Sequence, residues 1–299
     1  MERCPVRKSL WQEHIFDLVR RTATDLPADV EGALRRAQMR EKKGSNAWWA
    51  LAEILQNIRL ARRHEAPLCQ DTGTLSFHVI VPPGFDTNAL VGAAREAIAR
   101  ATRAGYLRQN TIDPLSGAPY QTNVAPGSPI FYFRQGARKT VDVRLIMKGG
   151  GSENVSVQYA LPRGEIGADR DLEGVRRCIL DAVWEAQGQG CAPGIIGVCI
   201  GGDRASGYEH AKAQFLRKLN ERSPNRTLAR LETAVLKQVN KLGIGPMGLG
   251  GRTTLLGAKI DALSRVPATY LVTVSYMCWA LRRRGVLLGP EGGLKRWFY

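Results

Sequence analysis

Apolar residues three or four positions apart dominate the first third of the chain, as at Trp11, Ile15 and Leu18. This spacing places them on one face of a helix. Two helix starts follow downstream. Pro27 lies in the first turn of a second helix, beside acidic residues, and Ser45 or Asn46 is the N-cap of a third. The N-terminal region is therefore predicted to be helical, with helices over residues 11–26, from 25–30 onward, and over 45–63.

Alternating apolar and polar residues, and short apolar runs such as residues 195–200, predict strands between further helices in the rest of the chain. The predicted strands cover residues 75–81, 130–133, 141–147, 155–160, 195–200, 255–263 and 269–277, and the predicted helices cover 87–105, 171–189, 206–219 and 223–241. This order predicts an α/β (α+β) fold of mixed β-sheets with helices packed around them. Residues 1–285 are expected to form one domain, and residues 286–299 a C-terminal arm or the start of a linker.

The composition is that of a folded globular protein, with 44% hydrophobic and 23% charged residues among 299. The sequence has no apolar run of about 18 residues, so no membrane span or membrane partner is expected. The first residues lead into an amphipathic segment and not into an apolar signal core, so a cytoplasmic location is expected. Six cysteines without close pairing do not match a secreted disulfide framework.

The net charge of +16 indicates an anionic partner or ligand. A nucleic-acid-binding protein usually shows a basic run with interleaved aromatic residues or a recognisable module. Here the arginines and lysines are scattered over helical segments, with small clusters such as residues 282–284. Attraction of small anions, or docking on an acidic partner, is therefore favoured over nucleic-acid binding.

The densest chemistry lies between the third helix and the first strand. Residues 69–73 read Cys-Gln-Asp-Thr-Gly, which puts a thiol, an amide, a carboxylate and a hydroxyl on one loop whose glycine lets backbone approach a ligand. The turn-rich segment 108–129 is long for a compact domain, as functional loops often are. The glycine triplet 149–151 fits either a wide bend between strands or bare backbone whose N–H groups face an anion.

Three of the six cysteines fit inert packing: Cys4 is near the terminus, Cys178 is in a predicted helix and Cys199 is in an apolar strand. The other three lie where a regular element meets polar, Gly- or Pro-containing sequence: Cys69, Cys191 and Cys278. Three thiolates leave one iron of a [4Fe–4S] cluster open, and an open iron acts as a Lewis acid on oxygen. Zinc with three thiolates and a water is the competing site, and spacing alone does not choose between them because no CxxC pair is present.

Five motifs stand out along the chain: residues 67–73 (PLCQDTG), 148–154 (KGGGSEN), 190–194 (GCAPG), 242–248 (LGIGPMG) and 275–279 (SYMCW). Together and in this order they resemble class I, iron–sulfur-dependent fumarate hydratases. The similarity extends to the α subunit of L(+)-tartrate dehydratase. The resemblance covers nearly the whole chain, as the N-terminal or α part of these enzymes, and the set of motifs is far more specific than any one of them.

The resemblance implies a [4Fe–4S] cluster, held where loops meet regular elements, on Cys69, Cys191 and Cys278. It implies that four residues contact the substrate: Gln70, Asp71, Arg108 and Gly151. Of these, Asp71 and Arg108 are also implied to be catalytic. Arg108 is expected to pair with a substrate carboxylate. Related enzymes often have Arg-His-Pro before the last strand, whereas this chain has valine at position 266, so a histidine role at that place does not apply.

The implied function is that of a hydro-lyase subunit of the tricarboxylic acid cycle, which interconverts fumarate plus water with (S)-malate. L(+)-tartrate and mesaconate are the alternative substrates. The family's active site is completed by a β subunit or a fused C-terminal domain, so the chain is expected to be inactive alone and to work in a homo- or hetero-oligomer. A cluster-carrying nucleic-acid-binding or regulatory protein is the alternative from another class, and a zinc hydrolase is the third.

Overall fold

The computed structural model describes the backbone of residues 8–299 and the side chains from Leu10 onward. Cys4 lies outside the described residues. The described chain forms two compact units. The first unit combines the described residues up to Pro27 with Asn57–Lys148 and Arg282–Tyr299, and the second combines Ala28–Gln56 with Gly149–Leu281.

The predicted helices and strands are present in the predicted order, together with a short helix and two C-terminal strands that the pattern does not predict, and the mixed α/β fold class is confirmed. The α-helices are α1 (Lys8–Thr24), α2 (Ala28–Arg40), α3 (Asn46–His64), α4 (Thr87–Arg103), α5 (Gly150–Asn154), α6 (Leu172–Ala186), α7 (Arg204–Ala213) and α8 (Arg226–Val239). The strands are β1 (Thr74–Val81), β2 (Ile130–Gln135), β3 (Val141–Lys148), β4 (Val157–Ala160), β5 (Gly194–Ile200), β6 (Leu255–Ala262), β7 (Leu271–Met277), β8 (Arg282–Leu288) and β9 (Leu294–Phe298).

The first unit is built on a five-stranded mixed sheet with the strand order β2-β1-β3-β8-β9. β1 runs parallel to β2, and the other neighbours are antiparallel. One face of this sheet packs on α1 and α4, through apolar side chains that include Ile15, Phe77, Ile98 and Val143. The apolar stripe read from the start of the sequence is therefore the face by which α1 joins the core.

The second unit is built on a four-stranded sheet with the order β4-β7-β5-β6. The central strand β5 is buried along its whole length, as its apolar sequence predicts. One face packs on α6 and α8, with Ile179 and Val235 in the core. On the other face α7 approaches so closely that a Cβ at Gly197 would lie 2.1 Å from the carbonyl oxygen of Ala211, which explains a glycine inside a strand.

Two segments differ from the sequence expectation. Residues 286–299, expected as an arm or linker, contribute the last three residues of β8 and all of β9 to the first sheet. The arginine run at residues 282–284 hides the strand pattern, because polar residues follow one another where alternation is expected. The glycine triplet does not form a wide bend between strands, because Gly149 is the N-cap of the short helix α5.

Among the helices of residues 8–299, none combines the length and the apolar content that crossing a membrane requires.

Candidate functional site

The loop that carries Cys69 is fixed at its base within the first unit. The Leu68 N–H donates to the carbonyl of Ala23 over 2.9 Å, and the Leu68 carbonyl accepts from Asn57 Nδ2 over 2.9 Å. Cys69 itself is partly exposed. The backbone N–H of Asp71 donates to Cys69 Sγ over 3.4 Å.

A second loop lies on the first and pairs with its polar side chains. Thr72 Oγ1 donates to the Arg108 carbonyl over 2.5 Å, and Arg108 Nη1 donates to Gln70 Oε1 over 2.9 Å. Asn110 Nδ2 donates to Asp71 Oδ1 over 3.1 Å. The Arg108 side chain is exposed, so its remaining N–H groups are open to a ligand. An exposed guanidinium held in place by an amide is a geometry that binds carboxylates.

The Arg108 loop is held in place by hydrogen bonds to Asn123, which is completely buried. Its Oδ1 accepts from the Asn110 N–H over 3.2 Å and from Thr111 Oγ1 over 3.1 Å. Its Nδ2 donates to the Arg108 carbonyl over 3.0 Å and to Thr102 Oγ1 over 3.1 Å. One buried amide therefore fixes the backbone on both sides of the arginine, and this accounts for an ordered conformation in a long loop.

In the second unit the backbone segments around two cysteines are joined. The Trp279 N–H donates to the Cys191 carbonyl over 3.2 Å, and the Cys278 N–H donates to Ser152 Oγ over 3.0 Å. Cys191 is exposed and has a φ of 54°, which a residue other than glycine adopts rarely. The backbone of Gly151 lies beside the same loop, since a Cβ there would be 3.5 Å from the Gln189 carbonyl oxygen.

Tyr276 packs against the backbone on both sides of Cys191. A Cβ at Gly190 would lie 2.4 Å from Tyr276 Cε1, and a Cβ at Gly194 would lie 2.3 Å from Tyr276 Cζ. Both glycines are therefore required by the ring, which is 1% exposed. Burial raises the pKa of the Tyr276 phenol, and the nearby Cys278 and Cys191 sulfurs raise it further. The phenol is thus neutral and fills space beside the two cysteines.

The two remaining described cysteines match the prediction of inert packing. Cys178 in α6 and Cys199 in β5 are fully buried. Burial raises the pKa of each thiol to about 12. A thiol that stays protonated is neither a nucleophile nor a metal ligand at neutral pH.

The predicted site residues thus fall into two sets. The first unit brings together Cys69, Gln70, Asp71 and Arg108, and the second unit brings together Gly151, Cys191 and Cys278. Within residues 8–299, no group of three or more His, Cys, Asp or Glu side chains is placed to hold a single metal ion. Each of the three predicted ligand cysteines is at least partly exposed, unlike the buried Cys178 and Cys199.

Sequence reasoning missed the residues that hold the site residues in place. Asn123 and Asn110 appear in the sequence only as polar members of a long loop, and Ser152 only as a residue after glycines. Their role depends on partners far away in sequence, such as Cys278 for Ser152. Val266, the residue at which the resemblance implies no histidine role, is 61% exposed.

Comparison with known proteins gives matches along nearly the whole chain. The family model for fumarate hydratase (Fumerase) matches residues 12–286. A protein assigned as a class I fumarate hydratase of Geobacillus stearothermophilus is 46% identical over 291 residues, which are 96% of this chain and 57% of that protein. This chain therefore spans little more than half the length of that relative.

Two further relatives are close to this chain in length. A protein assigned as the L(+)-tartrate dehydratase α subunit of Methanocaldococcus jannaschii is 31% identical over 90% of this chain and 94% of its own length. The L(+)-tartrate dehydratase α subunit of Escherichia coli K12 is 28% identical over 89% of this chain and 86% of its own length. With a family model that matches residues 12–286, the chain belongs to the fumarate hydratase (Fumerase) family.

Proposed function

We propose that this chain is the cluster-binding part of a hydro-lyase that adds water to, or removes it from, a small dicarboxylate. Fumarate plus water, in exchange with (S)-malate, is the leading reaction. The observation that carries the proposal is the pairing of two exposed loops, in which Arg108 donates to Gln70 next to Cys69. Membership of the fumarate hydratase family supports it.

The residues proposed to hold a [4Fe–4S] cluster are Cys69, Cys191 and Cys278. Each is a cysteine at a loop that reaches the surface, unlike the buried Cys178 and Cys199. When bound through three cysteines, such a cluster supplies a Lewis acid for the substrate's hydroxyl oxygen.

The protein's own groups bind and orient the acid. The free N–H groups of Arg108 take one carboxylate, and Gln70 holds the guanidinium in position. Backbone N–H groups at Gly151 are a further proposed contact for the substrate. The high positive charge of the chain draws a doubly charged anion toward it.

Asp71 is the group on this chain proposed to manage a proton. In dehydration the C3–H and C2–O bonds break, and the departing oxygen takes up a proton to leave as water. Asp71 supplies or holds that proton on oxygen, and Asn110, which donates to its Oδ1 over 3.1 Å, keeps the carboxyl oriented. The C3 proton goes to a base on the part of the enzyme outside this chain.

A completing partner is part of the proposal. The chain spans 57% of a class I relative, and two other relatives are named as α subunits. We therefore expect a β subunit, or a fused C-terminal domain, to add cations and the base. Because relatives are named for tartrate as well as fumarate, L(+)-tartrate is the second candidate substrate, followed by mesaconate.

The test is anaerobic co-expression with the neighbouring reading frame, followed by assays on (S)-malate, L(+)-tartrate and mesaconate. The wild type is expected to carry about four irons per chain, brown absorbance and dehydratase activity. Cys69→Ala, Cys191→Ala and Cys278→Ala are expected to lose iron and activity, and Cys199→Ala is the matched control that keeps both.

Three results would count against the proposal. Full iron content in all three single variants would remove the cysteines as ligands. Zinc in place of iron and sulfide would favour the zinc alternative. Binding of RNA or DNA that survives physiological salt, together with an absence of dehydratase activity on all three acids, would favour the nucleic-acid-binding alternative.

A further inference from the structure

Three consecutive arginines at the start of β8 differ sharply in their surroundings. Arg284 donates through Nη2 to Asp25 Oδ2 over 2.5 Å and through Nη1 to the Tyr299 carbonyl over 2.8 Å. The Arg283 guanidinium lies over the ring of Tyr299, 4.6 Å from its centre. Arg282 is only 2% exposed, and its Nε is buried without a hydrogen-bond partner among the residues described.

A guanidinium in a protein is permanently charged, so Arg282 is a buried cation. Within the described part of the chain no carboxylate forms an ion pair with it, whereas Asp25 serves its neighbour Arg284. Burying a charge without a counter-charge is costly, and buried charges in proteins are paired or bind a ligand. The anion that compensates Arg282 therefore comes from outside the described part of this chain.

The strand register locates this cation at one end of the first unit's sheet. Arg282 lies opposite Met147 of β3, and Met147 lies opposite Leu75 of β1. Neighbouring strands are about 4.8 Å apart, so the backbone of Arg282 is about 10 Å from that of Leu75. The Cys69–Gly73 loop leads directly into this end of β1.

Cross-strand neighbours share a face of the sheet. Leu75 and Met147 both belong to the core beneath α1 and α4, so Arg282 lies on that face too. The contact of Arg284 with Asp25, at the end of α1, fits the same assignment because residues two apart on a strand share a face.

We propose that Arg282 binds a carboxylate group of a small dicarboxylate. The planar fork of a guanidinium matches a carboxylate with two parallel hydrogen bonds. The identity of the anion rests on the proposed function, but the need for an anion rests on the burial of Arg282 alone. An acidic side chain of a partner chain offers the same chemistry, and the experiment separates the two sources.

The experiment measures thermal unfolding of the full chain, alone and with its co-expressed partner. Succinate is titrated at constant ionic strength, with sodium chloride and sodium sulfate as comparison anions. The variants are Arg282→Gln and Arg282→Lys, with Arg284→Gln as the matched control on the same strand. A ligand that binds only the folded state raises the melting temperature, and the rise reports its Kd.

The expected result separates binding from folding. Arg282→Gln keeps or raises the ligand-free melting temperature, because an uncompensated charge is removed, and weakens succinate binding about ten- to hundredfold. Arg282→Lys keeps the charge without the fork and weakens binding by about tenfold. Arg284→Gln shows the reverse pattern, with a lower ligand-free melting temperature and an unchanged Kd for succinate.

The inference is overturned if both Arg282 variants bind succinate as the wild type does. It is also overturned if Arg282→Gln lowers the ligand-free melting temperature as Arg284→Gln does while binding is retained. If the partner chain raises the melting temperature through Arg282 and succinate does not, the carboxylate belongs to the partner. That result rejects binding of a small dicarboxylate.

Failure of the proposed function looks different. In that case the wild type lacks dehydratase activity, while stabilisation by succinate still depends on Arg282. Conversely, an active wild type and an Arg282→Gln variant with unchanged KM and Kd leave the proposed function standing and reject this inference.

Discussion

Replacing Asn123 with alanine is the most direct test of how the Arg108 loop is held. The wild-type side chain is 0% exposed and makes four hydrogen bonds, two through Oδ1 and two through Nδ2. Truncation leaves their partners without an amide, including the carbonyl of Arg108. Each net hydrogen bond contributes about 0.5–1.5 kcal/mol, and part of the loss is recovered from water, so we expect a destabilisation of about 2–4 kcal/mol.

The loss also has a functional consequence. The two bonds from Asn123 to Arg108 and Asn110 place the residues that pair with Gln70 and Asp71. Without them the loop loses its fixed conformation, and the KM for the dicarboxylate is expected to rise by about tenfold or more, since positioned groups account for much of binding and rate.

Urea unfolding measures the stability, and limited proteolysis within residues 108–129 measures the order of the loop. The matched control is Asn240→Ala in the second unit. Asn240 Oδ1 accepts from the Thr254 and Leu255 N–H groups over 2.7 and 2.9 Å, so its loss is also destabilising. It is expected to leave protease sensitivity of 108–129 and KM near the wild-type values.

The reasoning about this loop is refuted by either of two results. One is an Asn123→Ala variant that unfolds within about 0.5 kcal/mol of the wild type, which is the range of ordinary surface changes. The other is a destabilised variant whose loop is no more sensitive to protease than the Asn240→Ala control.

Two further predictions concern the cysteines. In cluster-free native protein at pH 8, Cys178 and Cys199 are expected to resist iodoacetamide and to react only after denaturation, because burial keeps their thiols protonated with pKa values of about 12. Peptide mapping by mass spectrometry measures the labelling, and rapid labelling of either cysteine in the native protein would contradict the prediction. Gly190→Ala places a Cβ against the buried Tyr276 ring, so we expect a loss of about 1–3 kcal/mol in stability and lower iron content. The control is Gly92→Ala, where nothing lies within 4 Å of the added Cβ, and it is expected to keep the wild-type stability and iron content. Equal behaviour of the two variants would contradict the packing argument.

Much of the fold could be read from local sequence pattern. The helix α1 and the buried strand β5 follow from periodicity, since the spacing of apolar residues reports which face a segment buries. The inert state of Cys178 and Cys199 could also be predicted, because both sit inside apolar segments. These properties depend only on neighbours along the chain.

The candidate site shows where such prediction ends. The loops that carry Cys69 and Arg108 could be recognised by residue type and by resemblance, but their pairing could not. Asn123 is an example, because its four partners bring together a helix end and two stretches of loop that no short pattern links. The C-terminal strands are another, because the sheet position of β8 is decided by pairing with β3.

By itself the sequence determined the kinds of elements, the order of the motifs and the chemistry that each loop carries. Tertiary structure alone decided that Gln70 meets Arg108 and that Ser152 meets the backbone of Cys278. It also decided that Arg282 is buried with its Nε lacking a hydrogen-bond partner among the described residues. The reason is physical. Periodic burial is a local property of the chain, whereas hydrogen-bond partners and the burial of a charge depend on which distant segments the folded core brings together.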